Sequence, residues 1–591
     1  MNTDYINPDS INSLHELLRV RSQQSPHLTA YQQFNRATSQ WQTTDWLSVY
    51  SQSRQWASAL SCEDLQPGDR VAILIRNSLE WVLSEQACFA NQLVVIPLYL
   101  EDRAENIAYV LNDAGVKLIL VENDKHLQMI SSVTEKLESL KKIVCINKPT
   151  TEATSIPIEH LPDWLKKQGK NDLIDISSRD TLASIVYTSG TTGKAKGVML
   201  SHDNILQNTW AGLNSITIYP QDNFLSFLPM SHMLERTVGY YMPMMSGAHV
   251  SFSRSIPELA EDMLTLNPTV LITVPRIFER VYDKVNDTVS QKPRLIQRLF
   301  SHSIDVAWDY FQYEQKKTGW KLSFILLPVF NRLFHKKIRE KFGSKFRFAI
   351  SGGAPLGFDV AKFFIALKIV IAQGYGLTEY SPVISVNRLE DNDPKSVGRP
   401  LPGVDIRTNS NQELQVKGKC VMQGYWNNPE ATKEMIDEQG WLSTGDVVKI
   451  VDERIYITGR IKDIIVLSTG EKVPPCEIEK SIAQDPLFEN IVVLGEQRPY
   501  LSALVILNYG ALNKMKLDDN NLDQLLLEHI NTRMSSFPGY ARIHKISICK
   551  EAWTVENGML TPTLKPKRQY IIDQHQKMVD EMYEKKPKHV T

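Results

Sequence analysis

Residues Tyr187–His202 read YTSGTTGKAKGVMLSH, and this stretch decides the fold. The apolar run Ala183–Tyr187 leads directly into a loop of glycines and hydroxyl side chains. Glycines let backbone N–H groups approach an anion closely, while the hydroxyls and Lys194 add donors and positive charge. The stretch therefore predicts a phosphate-binding loop after a buried strand.

Two other interpretations of this loop are less well supported. A flexible surface turn would not need so many glycines and hydroxyls directly after a buried strand. A Walker A loop needs four residues between its first glycine and the Gly-Lys pair, with Ser or Thr after the lysine. Here the spacing from Gly190 to Gly193 is shorter, and Ala195 follows Lys194.

Short apolar runs alternate with helical patterns on both sides of the loop, which predicts an α/β fold with large, mixed or largely parallel sheets. The expected strands are Val71–Ile75, Val94–Pro97, Val116–Val121, Ile143–Ile146, Ala183–Tyr187, Val270–Val274, Phe346–Ile350 and Lys368–Ala372, with a helix at Ser84–Ala90. After about residue 400, short strands separated by turns predict a small antiparallel unit, with strands at Val404–Arg407, Glu413–Lys417, Val447–Val451 and Ile455–Ile457. We place a domain boundary near Arg460–Asp463, giving residues 1–461 and a small, mobile α+β domain of residues 462–591.

Composition indicates a cytosolic globular protein. The chain has 591 residues, a formal net charge of -1 and 42% hydrophobic residues, so no global feature favours nucleic acid. The six cysteines form no CxxC pair, which predicts reduced and mostly buried thiols. The N-terminus lacks a signal-peptide pattern, and the most apolar stretch, Leu322–Phe334, is too short to cross a bilayer.

The phosphate-binding loop resembles that of the adenylate-forming superfamily, which includes acyl-CoA synthetases, luciferases and peptide-synthetase adenylation domains. Further motifs of that superfamily follow in order over roughly residues 10–575. They are Ser351–Leu356 (SGGAPL), Gln373–Glu379 (QGYGLTE), Ser443–Asp446 (STGD), Gly459–Asp463 (GRIKD) and Thr561–Arg568 (TPTLKPKR).

The resemblance implies a role for each matching residue. Tyr375 would stack on adenine, Thr378 would contact the α-phosphate, and Glu379 would hold Mg²⁺, a hard cation that prefers oxygen ligands. Asp446 would accept hydrogen bonds from the ribose hydroxyls. The full set of expected ATP-binding residues is Thr188, Ser189, Gly190, Thr191, Thr192, Gly193, Lys194, Gly352, Gly353, Ala354, Tyr375, Gly376, Asp446 and Arg460.

The resemblance also assigns roles in the C-terminal region. Lys462 occupies the hinge position, and Gly470 and Glu471 correspond to a loop that shapes the CoA channel. Lys565 corresponds to a catalytic lysine that stabilises charge on the α-phosphate and the attacking carboxylate. Leu564 stands where many members have glycine, as in the long-chain branch, and Lys567 is a nearby competitor for the catalytic role.

Three segments resemble the long-chain acyl-CoA synthetase branch: Phe224–Tyr241 (FLSFLPMSHMLERTVGYY), Val274–Tyr282 (VPRIFERVY) and Ser468–Glu479 (STGEKVPPCEIE). His232 would lie close to the acyl-adenylate, and a structural histidine is the alternative. Nearby methionines could line an acyl tunnel or simply fill the core. They are Met230, Met233, Met242, Met244 and Met245.

The segment from Gln291 to Phe346 is absent from the smaller relatives. Leu295, Leu299, Ala307, Trp308 and Phe311 are expected on one helical face, and basic residues flank them. One interpretation is an amphipathic element that rests on anionic lipid. The other is a helical hairpin packed on the protein body with a solvated basic face.

Together these features predict ATP-dependent ligation of a long-chain fatty acid to CoA through an acyl-adenylate, with Mg²⁺ as cofactor and release of AMP and pyrophosphate. Two alternatives stay open. A carrier protein could replace CoA as the acceptor, or the protein could be a catalytically silent binding protein. The silent alternative would be signalled by loss of Lys194, Glu379, Asp446, Arg460 or Lys565, and the sequence keeps all five.

Overall fold

The computed structural model describes residues 3–150, 155–169, 178–188, 195–469, 471–514, 522–534, 537–561 and 565–584. Two large sheets dominate, and a small antiparallel sheet and a C-terminal α+β region follow them. The α/β class predicted from the sequence is confirmed.

The first sheet contains the strand that precedes the phosphate-binding loop. Its strands from Leu182–Thr188 to one edge are parallel, and the two strands at the other edge are antiparallel. In spatial order the eight described strands are Gly424–Tyr425, Lys196–Ser201, Leu182–Thr188, Val94–Pro97, Arg70–Leu74, Val116–Val121, Lys142–Cys145 and Ile158–His160.

The second sheet is parallel through its centre, with antiparallel pairings toward both edges. In spatial order its nine described strands are Arg399–Pro400, Val383–Val386, Val370–Gly376, Phe348–Ser351, Val270–Thr273, Asn223–Ser226, His249–Phe252, Thr29–Asn35 and Gln40–Asp45. Its central strands are buried on both faces, as expected for parallel sheets covered by helices.

The two smaller sheet systems lie later in the chain. The antiparallel sheet is formed by Asp405–Thr408, Glu413–Lys417, Leu442–Val451 and Arg454–Arg460. The C-terminal region has a short pair, Ile465–Val466 and Lys472–Val473, and a mixed sheet of Phe488–Leu494, Leu501–Leu507 and Ile543–Ile548.

Helices cover these sheets, and several begin at side chains that satisfy free backbone N–H groups. Ser201 forms a capping box with Asn204, for example, at the start of the helix after the loop hairpin. The described α-helices are Leu14–Gln24, Trp46–Leu60, Leu79–Ala90, Ala104–Asp113, Asp124–Ser131, Leu161–Trp164, His202–Leu213, Met242–Ser246, Leu259–Leu266, Pro275–Ser290, Arg294–Glu314, Leu327–Phe330, Lys336–Arg339, Phe358–Ala366, Pro429–Met435, Pro475–Ala483, Tyr509–Lys514, Leu522–Arg533, Arg568–Gln574 and Gln576–Glu584.

Separate hydrophobic cores support the two parts of the chain. The three largest clusters before residue 461 involve the two large sheets, whereas two further clusters contain only residues from Ile465 onward. Cys88, Cys145, Cys420 and Cys549 are buried free thiols, as expected, while Cys62 is exposed. None of the helices in the described ranges is long and apolar enough to cross a membrane. We keep the division at residues 461/462 as a proposal.

Several predicted boundaries were wrong by a few residues, and two differences affect the site. The expected strand Lys368–Ala372 is Val370–Gly376, so part of the QGYGLTE motif lies within a strand. The expected strand Val447–Val451 is Leu442–Val451, and Asp446 lies within it, after Gly445 at a positive φ of 72°. The expected single helical face on Arg294–Glu314 is also wrong at one end, because Leu295 and Leu299 are exposed.

Candidate active site

The predicted phosphate-binding loop connects two strands that pair antiparallel in the first sheet. Residues Ser189, Gly190, Thr191, Thr192, Gly193 and Lys194 lie outside the described residues. Thr188 ends the strand before the loop and pairs with Lys196, which begins the strand after it. Gly197 stands where the hairpin packs closely, because a Cβ there would lie 2.7 Å from the side chain of Ile185. The ends of the loop are therefore held together by sheet pairing.

A charged cluster lies where the antiparallel sheet faces the second sheet. The buried carboxylate of Asp446 accepts a hydrogen bond from the Tyr375 hydroxyl at 2.6 Å and one from Arg460 Nε at 2.7 Å. Asp446 and Arg460 are direct partners across two antiparallel strands, which explains their close approach. Burial and the Asp446 charge both raise the pKa of Tyr375. Three predicted nucleotide-binding residues from three strands are thus brought together.

Tyr425 positions the predicted metal ligand. Its hydroxyl donates to Glu379 Oε1 at 2.8 Å, and Lys196 Nζ lies 5.0 Å from the centre of its ring. Tyr425 itself pairs with Val198 in the strand after the phosphate-binding loop. Glu379 lies beside Thr378 in a short 3₁₀ helix, Thr378–Tyr380. The pairing brings Glu379 next to the loop hairpin although 185 residues separate it from Lys194.

The glycines expected along the adenine stand at tight or unusual backbone positions. A Cβ on Gly376 would lie 1.8 Å from the carbonyl oxygen of Pro382. Gly352 is buried, and a Cβ there would lie 3.0 Å from the Leu234 side chain. Gly353 has a positive φ of 77°, which favours glycine, and Ala354 beside it is exposed. The loop after Phe348–Ser351 follows a strand that pairs with the Tyr375 strand, with Ser351 opposite Gln373. Only glycine fits at position 376.

His232 is uncharged near neutral pH. Burial, with a smaller effect from the charge of Lys565, lowers the pKa of His232 to about 4. Its Nδ1 accepts a hydrogen bond from the Leu234 backbone N–H at 3.2 Å. Because a neutral imidazole carries one proton, this bond assigns that proton to Nε2. His232 can therefore donate a hydrogen bond without carrying a charge.

Lys565 lies in the C-terminal region, and its pKa responds to two residues of the charged cluster. Loss of hydration in the cleft and the charge of Arg460 lower the pKa of Lys565 to about 8, and Asp446 opposes this effect. Lys565 retains exposed surface, so solvent can reach it and still favours the ammonium form. The charges of Arg460 and Asp446 thus act on the Lys565 ammonium, and its charge acts on His232.

An ion pair holds the Lys565 segment against the C-terminal sheet. Arg568 contacts both carboxylate oxygens of Glu479, at 2.6 and 2.7 Å, and donates to the Val493 carbonyl at 2.7 Å. Glu479 also accepts from the Val493 N–H at 2.7 Å. Both carboxylate contacts come from Nη2, while Nη1 donates to the carbonyl. Since Arg568 lies three residues after Lys565, these charge-assisted bonds limit where the lysine can lie.

The structure gives less information about the predicted hinge, CoA-channel and acyl-tunnel residues. Lys462 lies in the short 3₁₀ helix Ile461–Asp463, directly after the strand that carries Arg460. Glu471 lies in the turn between the strands Ile465–Val466 and Lys472–Val473, and Gly470 lies outside the described residues. The methionines named above are all at most 2% exposed and lie within the main core, so the structure shows their packing role. Their role in an acyl tunnel stays a prediction.

Tyr425, Glu479 and Arg568 are absent from the predicted site. Tyr425 and Glu379 are 46 residues apart. They are brought together by the antiparallel addition of Gly424–Tyr425 to the first sheet and by a backbone hydrogen bond from the Met422 N–H to the Glu379 carbonyl at 2.9 Å. Glu479 and Arg568 belong to quoted motifs, but nothing in their spacing indicates that they pair. The signal that could have found them is charge complementarity across the C-terminal domain.

One carboxylate fits a nucleotide-bound Mg²⁺. The described residues contain no cluster of three or more His, Cys, Asp or Glu side chains able to hold a metal ion. Mg²⁺ in phosphate-transfer sites needs only one or two carboxylates, because phosphate oxygens and water complete its coordination. The half-buried Glu379, with one oxygen bonded by Tyr425, agrees with that donor set.

Comparisons with known proteins identify the family. Residues 18–426 match the family described as AMP-binding enzyme, and residues 462–587 match the AMP-binding enzyme C-terminal domain. The long-chain-fatty-acid–CoA ligase FadD15 of Mycobacterium bovis is 29% identical over 92% of this chain and 93% of its own. The chloroplastic long-chain-fatty-acid–[acyl-carrier-protein] ligase AEE15 of Arabidopsis thaliana is 28% identical over 89% of this chain and 81% of its own.

A solved structure shows the same fold. The anthranilate CoA ligase AuaEII in complex with anthranoyl-AMP has a TM-score of 0.75 at 18% identity, over 97% of this chain and 100% of that chain. The first family match alone covers well over half of the 591 residues. The chain belongs to the AMP-binding enzyme family.

Proposed function

We propose that the protein ligates a long-chain fatty acid to CoA through an acyl-adenylate. The observation that carries this proposal is the hydrogen-bonded cluster of Tyr375, Asp446 and Arg460. The charges of Asp446 and Arg460 also act on Lys565. A lysine from the C-terminal region in this position fits the adenylation half-reaction. The similarity to long-chain-fatty-acid–CoA ligases over most of the chain supports the choice of substrate class.

The first half-reaction joins the acid to AMP. A carboxylate oxygen of the fatty acid attacks the α-phosphorus of ATP, the bond to the bridging oxygen breaks, and pyrophosphate leaves. Asp446 would accept the ribose hydroxyl hydrogens and Tyr375 would stack on adenine. Lys565 would stabilise negative charge shared by the incoming carboxylate and the α-phosphate. Bound Mg²⁺, held by Glu379, would neutralise phosphate charge.

His232 is suited to orient the acid. Its neutral ring can donate from Nε2 to a carboxylate oxygen and adds no second cation beside Lys565. In the second half-reaction the CoA thiol loses its proton and attacks the acyl carbon, and AMP leaves. We propose that rotation about Lys462 removes Lys565 and brings the segment around Glu471 to the site, so that one cleft serves both steps.

Two half-reaction assays test this function. Pyrophosphate release should require ATP, Mg²⁺ and a fatty acid, and should rise with chain length toward long acids. Formation of acyl thioester should then require CoA. Because one relative is named as an acyl-carrier-protein ligase, carrier protein is the matched alternative acceptor. If thioester forms on carrier protein but not on CoA, carrier protein replaces CoA as the acceptor in our proposal. If no acid gives pyrophosphate release, the protein is a catalytically silent binding protein instead.

A further inference from the structure

A helical segment after the helix Arg294–Glu314 exposes an unusual apolar surface. We define the apolar face as Trp320, Leu322, Ile325, Leu326, Val329 and Leu333, whose exposed fractions run from 43% to 72%. Ten of the seventeen exposed large hydrophobic residues of the described chain fall between residues 291 and 346. Single exposed apolar residues are common, but a contiguous group usually marks an interaction surface.

The spacing of the apolar face is helical. From Leu322 its members recur at three, four, seven and eleven residues, along the continuous helical run Leu322–Arg339. The opposite side of the same run is anchored. Phe324 and Phe330 are each 6% exposed and pack with Val306, and His335 lies 3.1 Å from Ser303 Oγ. The inner side is thus packed on the protein body, and the outer side is apolar rather than only basic.

Charge around this face identifies its occupant. Residues 291–346 contain twelve Lys and Arg against four Asp and Glu, a balance of +8 in a chain of net charge -1. The rest of the chain therefore carries -9. Exposed cations border the apolar face directly, among them Lys321, Arg332, Lys336 and Lys337. An apolar strip bordered by cations is the pattern of an element that lies in the interface of an anionic bilayer.

Symmetric pairing with a second copy explains the surface less well. A two-fold contact would bring the same strongly basic patches together, and like charges would oppose it. An apolar partner protein would not account for the cations. We propose that the apolar face docks on the surface of a membrane containing anionic lipid, with Leu322–Arg339 parallel to it. This deepens the proposed function, because a long-chain acid partitions into bilayers and would be taken up there.

Vesicle sedimentation tests the docking surface. The full chain is mixed with vesicles of phosphatidylcholine alone or with phosphatidylglycerol, at low and high salt. The test variant carries Leu322→Asp, Ile325→Asp and Val329→Asp. The control carries Leu47→Asp, Ile256→Asp and Leu264→Asp, which are also exposed apolar residues but lie outside residues 291–346. A second variant, Arg332→Glu with Lys337→Glu, reverses two of the bordering positive charges and leaves the apolar face intact.

We expect the wild type and the control to bind vesicles containing phosphatidylglycerol, with binding reduced by salt. The Leu322/Ile325/Val329 variant should bind at least tenfold more weakly, and the charge variant should lose the preference for anionic lipid. Equal binding of wild type and test variant, or no binding by the wild type, would overturn the proposal. A concentration-dependent dimer lost only in the test variant would assign the face to a second copy instead.

Pyrophosphate release with a short, water-soluble acid separates this proposal from the proposed function. The test variant should keep that activity within about twofold of the wild type, because no substituted residue belongs to the candidate active site. Vesicle binding without any ligase activity would retain the docking surface and reject only the function.

Discussion

Substitution of Lys565 should separate the two half-reactions. Lys565→Ala removes a cation whose charge interacts with Asp446, Arg460 and His232. Loss of a preorganised group that stabilises transition-state charge costs about 3–4 kcal/mol, or a factor of roughly 10²–10³ in rate. We therefore expect adenylation to fall by that factor. Thioester formation from supplied acyl-adenylate should change little, because the lysine belongs to the first step only.

The pH dependence of the same lysine gives a second, quantitative result. With a pKa of about 8, the ammonium of the free enzyme is fully present at lower pH and is lost as the pH rises. Its protonated fraction falls most steeply near pH 8. Since kcat/KM reports groups of the free enzyme, kcat/KM for ATP should fall by up to about tenfold between pH 7 and pH 9, and by less to the extent that solvent stabilises the exposed ammonium. Bound ATP is anionic, so the decline in kcat should begin at higher pH.

The assay is pyrophosphate release in a single turnover without CoA, because the CoA thiol would titrate in the same range. Lys565→Arg should be slower than the wild type but keep its rate at pH 9, since arginine stays charged. Lys567→Ala is the matched control, a lysine two residues away in the same segment. The reasoning is refuted if Lys565→Ala adenylates within threefold of the wild type, or if Lys567→Ala shows the larger loss.

Three further substitutions test the site and its scaffold. Asp446→Asn should raise KM for ATP about tenfold or more, because it weakens charge-assisted hydrogen bonds and the expected ribose contact. Steady-state kinetics would measure this change. An unchanged KM would show that Asp446 does not belong to the nucleotide site. Gly376→Ala should lower the free energy of unfolding by at least about 2 kcal/mol in denaturant, since the alanine Cβ would lie 1.8 Å from the Pro382 carbonyl oxygen. A variant as stable as the wild type would contradict that close approach. Glu235 is fully buried, and burial raises its pKa from 4.5 to about 8 against a smaller opposing effect of Ser226. The unfolded state releases this proton at a lower pH than the folded state does. The free energy of unfolding should therefore fall as pH rises from about 4.5 to 8, by up to about 3 kcal/mol at pH 7, and Glu235→Gln should flatten that part of the curve. Identical pH–stability curves for the two proteins would refute a neutral Glu235.

The largely buried strands Val94–Pro97 and Val116–Val121 could be predicted with the observed boundaries because their apolar runs have few alternatives. Glu413–Lys417 was also predicted with the observed boundaries, from the alternation of buried and more exposed residues along it. The hairpin of Thr29–Asn35 and Gln40–Asp45 was missed, because it lies at a sheet edge and its residues are mostly polar or half-exposed. Apolar patterning reports burial, so it cannot identify strands whose outer faces meet solvent.

The contacts that the sequence did not predict in the candidate active site join residues that are far apart in the chain. The motif residues Tyr375, Asp446 and Arg460 were predicted separately, and the fold joins them through two sheets. The support of Glu379 by Tyr425, and the anchoring of the Lys565 segment by Glu479 and Arg568, depend on strand register and domain packing. Burial around Lys565 and His232 likewise follows from tertiary structure, so their lowered pKa values could not be read from the sequence.

The measurement that tests the central claim most directly is AMP and thioester formation from ATP and CoA across acids from acetate to oleate. Our account predicts that AMP and acyl-CoA form in equal amounts, with the highest kcat/KM for the long acids. Accumulation of acyl-adenylate without acyl-CoA would reject CoA as the acceptor, and absence of AMP with every acid would contradict the proposed ligase activity itself.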